Sequence, residues 1–198
     1  MLNLDEGLAG ALARLERILV RSRAAIVPLL RPGIDAAEVA TLLASVGLSP
    51  SAEAVAWFGW HDGAGSPGVP TTAIELVPDG EFYDLRHLCD EYVMTRSADS
   101  DVAAMPGSVY DVEQLWPTHW FPLLRLLGKG YLAVDLAANE GSTSPVHIVW
   151  HDTDLDERAD WESVGSFVET VIDRFEQGVY SVDDDGIVRG PTIDHPTR

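Results

Sequence analysis

Leu8, Leu12, Leu15 and Leu19 recur at spacings of four, three and four, with Ala11 and Ile18 beside them. That period draws one apolar stripe along a helix, and Arg14, Arg17 and Arg21 fall on another face. Asn3 followed by Glu6 resembles a cap, and Pro28 should stop or kink the helix. A second helix is expected from Asp35, whose carboxylate can cap it while Glu38 reaches back, to near Gly47. The third starts at Ser49 and Pro50, with the hydroxyl capping and the proline in the first turn. It runs through Val55, Trp57 and Phe58 into His61, Asp62 and Gly63.

The segment AGSPGVP (64–70) is a breaker-rich loop, AIELVP (73–78) a short strand and DGEFYD (79–84) a turn. Leu85 to Arg96 reads as another helix, whereas SADSDVAAMPGS (97–108) has little apolar periodicity and reads as a surface loop. From Trp120 the pattern changes to strands, with apolar runs at Trp120 to Leu127, Tyr131 to Leu136 and Val146 to Trp150. Gly128 with Gly130, and then NEGSTS (139–144), supply turns, so an antiparallel meander is expected. Phe167, Val168, Val171, Ile172 and Phe175 return to helical spacing, with Ser166 and Glu169 as a capping box and Gly178 at the far end. YSVDDDGIVRG (180–190) suggests a small hairpin, and the last residues should fray. Helices, then strands, then a helix is the order of an α+β domain: a mainly antiparallel sheet flanked by N-terminal and C-terminal helices. One domain is expected over 1–188, with 1–47 as an N-terminal helical extension and 189–198 as a frayed tail.

Composition narrows the class. A chain of 198 residues supports a single core, and 46% hydrophobic with 23% charged residues places it among globular rather than disordered proteins. No apolar run approaches the ~20 residues needed to span a bilayer. The first segment places acids before its apolar residues and carries arginines throughout, unlike a signal peptide. A soluble cytoplasmic protein is expected, without membrane contact. The single cysteine, Cys89, excludes an internal disulfide and a Cys-rich zinc site.

The formal net charge is −19, from 13 basic and 32 acidic residues. Residues 1–50 hold as many arginines as acids, so the whole excess lies in 51–198. Such a surface repels nucleic-acid backbones and anionic membranes and steers basic partners toward it.

Candidate chemistry is thin. In WHDTDLDERADWES (150–163), Asp152, Asp154 and Asp156 alternate as the first calcium ligands of an EF-hand do. The sixth and twelfth positions, which need Gly and Glu, are Glu157 and Ser163. His147 and His151 share a strand face but lie two strand repeats apart, too far for one zinc without help from elsewhere. The stretch reads as an acidic connector preceding a helix. His87 and Cys89, two apart on a helix, face different ways. Cys89 falls among Leu85, Leu88, Tyr92 and Val93, as an inert buried thiol would. The GKG at 128–130 lacks the length and the following helix of a phosphate loop. Asp135 is expected to be structural, on the strand side of Tyr131 and Ala133. Most of Trp57, Trp60, Trp116, Trp120, Trp150 and Trp161 should be core, with one or two at the rim of an acidic face as binding anchors. No residue is assigned to catalysis, to a cofactor, to a metal or to the partner surface.

The order of SPSAEAVAWF closing on HDG, then WFPLL, a glycine turn, YLAVDL, NEGSTSPVHIVWHD and WESVGSFVETVIDRF resembles the SUKH superfamily. That superfamily contains Smi/Knr-like cell-wall regulators of fungi and many bacterial toxin-immunity proteins. The resemblance covers roughly residues 45–180 and is best over Trp120 to Phe175. Pro50 matches the family's proline at the head of the third helix and Asp135 its YLAVDL aspartate, while Asp62 stands where asparagine is usual. The resemblance implies an α+β fold and a non-enzymatic, cofactor-free protein that binds other proteins, commonly a cognate toxin such as a nuclease. The leading expectation is an acidic immunity-type protein that neutralises a basic, nuclease-like toxin. The second is an intracellular scaffold or regulator with several partners. The third is a metal-dependent hydrolase using His147, His151 and Asp152.

Overall fold

A computed structural model describes residues 4–65, 68–108, 111–127, 130–137, 143–150 and 158–193. At its centre is a five-stranded antiparallel sheet in the spatial order β3–β4–β5–β6–β7. Its strands are β3 (Glu75–Val77), β4 (Gly80–Glu81), β5 (Trp120–Leu126), β6 (Gly130–Asp135) and β7 (Val146–Trp150). The expected meander is β5–β6–β7, paired in the registers Trp120 to Asp135 and Leu132 to Ile148. Successive strand residues point to opposite faces. In β5 only Arg125 is exposed, so this strand is buried on both faces, which is why WFPLLRL reads as one apolar run. The fold is α+β, as the element order predicts.

The leucine stripe of α1 (Leu4–Ser22) is buried as its spacing requires, with Leu12, Leu15 and Leu19 at most 1% exposed. The helix packs on α6 (Val164–Glu176) and on α3 (Ala52–Trp60). Its Arg14 reaches Glu169 of α6 through two guanidinium hydrogen bonds of 3.1 and 2.9 Å. Pro28 lies in a 3₁₀ turn, Val27–Leu29, beyond the helix end. In α2 (Ala36–Ser45), Asp35 accepts the Glu38 amide, so this cap is where the sequence puts it. Asn3 lies outside the described residues.

Other boundaries move. The third helix is capped by Ser51, which accepts the Ala54 amide, rather than by Ser49; Pro50 precedes the cap. It stops at Trp60, because His61–Ala64 forms β2 and pairs with β1 (Leu30–Pro32) in a separate ribbon. In the middle of that strand Gly63 has φ +70°, and a Cβ there would come within 2.4 Å of the Tyr83–Asp84 backbone. Asp62 is buried and accepts the Leu85 amide at 2.9 Å, so the aspartate in HDG closes the start of the next helix rather than the end of its own. Ala73 and Ile74 belong to a 3₁₀ turn, which leaves only three residues of AIELVP in β3.

The fourth helix, α4, extends over Leu85–Ala103, so the loop expected from 97 is helical as far as 103. The apolar period fades there because no residue of α4 beyond Thr95 is buried. A short α5 (Val112–Leu115) follows. The last helix is capped by a box between Ser163 and Ser166, one turn earlier than the expected Ser166 and Glu169; Glu169 instead serves Arg14. The hairpin β8 (Ser181–Val182) with β9 (Val188–Arg189) forms as read. Residues 189–193, expected to fray, are tied down: Thr192 donates to Asp79 and Ile193 is fully buried.

Candidate functional site

At one end of the sheet a cleft of about 460 Å³ is lined by Glu113, Pro117, His119, Trp120, Asp135, Pro145, His147 and Ala159. Strand register gathers these residues. The His119 carbonyl accepts the Leu136 amide, and the Asp135 amide donates to the Pro145 carbonyl, which sets the mouths of β5, β6 and β7 side by side. Asp135 Oδ1 accepts the Ala137 amide at 2.7 Å and lies 3.8 Å from His119 Nε2. His147 is buried and stacks on the Trp120 indole, with ring centroids 3.8 Å apart. Trp120 is fixed in turn, since its carbonyl accepts the Trp116 indole N–H at 2.7 Å.

Glu113 forms the acidic lip. Burial opposes its charge, yet hydrogen bonds from the Thr118 hydroxyl and amide and from Arg96 outweigh that and hold its carboxyl below the usual range. The Thr118 hydroxyl donates to this carboxylate rather than facing a substrate. The cleft therefore offers the Asp135 carboxylate between proline and aromatic walls, Glu113 being already engaged by Arg96 and Thr118. That chemistry suits a cationic side chain with an apolar stem.

The residues weighed for catalysis are scattered or outside view. His151, Asp152, Asp154 and Asp156 lie outside the described residues, as do Gly128 and Lys129. Among the described residues no group of three His, Cys, Asp or Glu side chains could hold a metal ion. Cys89 is buried, its sulfur facing the Leu42 carbonyl at 3.7 Å. Burial above all, with Asp90 and Asp84 adding, pushes its thiol up to about 11. His87 does not approach it: the imidazole stacks on Tyr83, and its Nε2 lies 3.6 Å from Glu91. Trp57, Trp116, Trp120 and Trp161 are buried, while Trp60 and Trp150 are half-exposed. Trp60 donates to Glu16 at 3.1 Å, and Trp150 lies across Gly130, where a Cβ would meet its ring.

Three buried acids went unnoticed in the sequence. Glu53 accepts the amides of Ser144, Val164 and Gly165. Glu75 and Glu81 are cross-strand partners, 4% and 2% exposed. The signal for Glu75 was its place between Ile74 and Leu76 in an apolar run. Glu81 meets Arg125 at 3.7 Å.

On the surface, Arg14 pairs with Glu169, Arg31 with Asp84, Arg96 with Glu113 and Arg189 with Asp183, whereas Arg17, Arg21, Arg23 and Arg86 stand exposed with no ion-pair partner among the described residues. Asp90, Asp101, Asp173, Glu176, Asp184 and Asp185 stand exposed with no ion-pair partner among the described residues. Among the described residues no helix is long and apolar enough to cross a membrane. No protein-family model matches the chain, and no curated protein is significantly similar to it.

Proposed function

We propose that this chain is a non-enzymatic protein-binding domain of SUKH-like type that acts in the cytoplasm and occludes a basic partner, a nuclease-like toxin. One observation carries the reading. The acids outnumber the basic residues by 19, and Asp90, Asp101, Asp173, Glu176, Asp184 and Asp185 stand exposed with no ion-pair partner among the described residues, available to a cationic partner. Unpaired surface carboxylates accelerate encounter with a basic protein and repel nucleic acid, which would keep a nuclease's own substrate from competing for the same face. The cleft at Asp135 adds a place where a partner's lysine or arginine could be desolvated against apolar walls.

The test is co-expression. The product of the neighbouring gene is expressed alone and together with this chain, and cell survival is scored. Death alone with rescue together supports the proposal. Survival in both arms, with no basic protein retained from a lysate of the source cells, overturns it and leaves a scaffold with several partners.

A further inference from the structure

Among the described residues seven large apolar side chains stand exposed, and four of them, Val93, Met94, Val102 and Met105, lie on α4 or in the turn that ends it. Methionine is ordinarily among the more buried residue types. This chain has three, and both internal ones are exposed here, Met94 at 63% and Met105 at 58%. Met94, Ala98 and Val102 are spaced four apart, which places them along one face of α4 over about 12 Å, and Met105 follows in the turn beyond Ala103. The opposite face, with Leu85, Leu88, Tyr92 and Thr95, is the one buried against the protein.

This face also carries acids. Asp90, four residues before Met94, and Asp101, three after Ala98, are exposed on it and have no ion-pair partner among the described residues. Of the two arginines on the helix, Arg96 is turned away and held by Glu113 and the Trp116 carbonyl; Arg86 stands in the first turn, before the stripe begins. Soft, unbranched methionines interleaved with carboxylates suit a helix that carries leucines flanked by lysines or arginines. A second copy of the chain would bring like charges together across the seam, which disfavours it.

We infer that the outward face of α4 is the docking surface for a basic amphipathic helix of the partner. The inference rests on the basic-partner reading above and names the surface and the kind of segment it takes.

The experiment uses the full chain and a fluorescein-labelled synthetic helix with a leucine face and lysine flanks, followed by anisotropy. Two control peptides replace the leucines with serine or the lysines with glutamate. The leucine/lysine peptide should bind, and the double variant M94E/M105E should weaken it by about tenfold or more, as loss of a central apolar anchor does. The variant should keep the wild-type circular dichroism spectrum, because both side chains are exposed. D90N/D101N should weaken binding and flatten its salt dependence. Equal binding of the serine/lysine peptide, or unchanged binding by M94E/M105E, overturns the α4 surface while leaving a basic partner in place. A dimer in sedimentation that M94E/M105E dissolves also overturns it, by making a second copy the occupant. Failure of every lysine peptide, together with survival in both arms of the co-expression test, sinks the underlying reading as well.

Discussion

The Glu53 side chain on α3 accepts the Val164 amide at 3.1 Å, across 111 residues of chain. The same group accepts Gly165 at 3.2 Å and Ser144 at 2.6 Å, so one residue, 7% exposed, closes the start of α6 and anchors the approach to β7. Glu53→Ala leaves these amides without their acceptor and is expected to destabilise the fold by about 3 kcal/mol. Glu53→Gln keeps one acceptor oxygen and should fall between that variant and the parent. Urea unfolding measures both; an alanine variant within about 1 kcal/mol of the parent would show that water replaces the carboxyl group adequately.

Glu75 makes stability depend on pH. Burial first, then the charges of Asp79 and Glu81, raise its carboxyl from 4.5 to about 7. The folded chain thus holds a proton that the unfolded chain releases. The sign follows from linkage: this group's contribution is fully present below 4.5 and is lost as the pH rises through about 7. Glu75→Gln keeps a neutral side chain at every pH. Against the variant, the parent protein should lose stability progressively on going from below 4.5 to well above 7. Two unfolding-midpoint curves that run parallel across this range would contradict the buried, protonated Glu75.

Cys89 tests the inner face of α4. Its thiol is buried and pushed up to about 11, so thiolate is scarce at neutral pH and access is blocked as well. Alkylation by iodoacetamide should be slow in the native protein and rapid in denaturant. Fast native labelling would mean that α4 opens away from α2 well below global unfolding.

How much was legible in the sequence follows from how far each signal travels. The α1 stripe and the three meander strands were readable because their apolar period is local and their burial complete. The β1–β2 ribbon was not. The three mostly exposed residues of β1 gain meaning only from a partner across the protein, where His61 Nδ1 meets the Arg31 carbonyl at 2.8 Å. The caps shifted for a related reason: Ser49 and Ser51, or Ser163 and Ser166, are chemically equivalent, and tertiary packing chooses between them. In the cleft, Asp135 and His147 drew notice, whereas His119 and Glu113 did not, since their meeting depends on strand register and on Arg96 from α4. Val102 and Met105 escaped because the helix was expected to end near Arg96, whereas Met94 lay inside the expected helix, on a face whose exposure only tertiary packing decides.

The last prediction separates burial from charge at the α1–α6 contact. Leu12 is 1% exposed, and Leu12→Ala should remove about 3 kcal/mol through lost transfer energy and a cavity that rigid neighbours cannot fill. Arg14 lies two residues away and pairs with Glu169, but both side chains are nearly half exposed, at 44% and 45%. Exposure screens the pair and leaves each partner well hydrated when separated, so Arg14→Ala should reduce stability by at most about 1 kcal/mol. That small effect should shrink further in high salt, while the leucine effect should not. Unfolding both variants at low and high ionic strength decides the matter. An arginine loss as large as the leucine loss would mean that the N-terminal helix is held by charge, and that its apolar stripe adds little to the core it lies against.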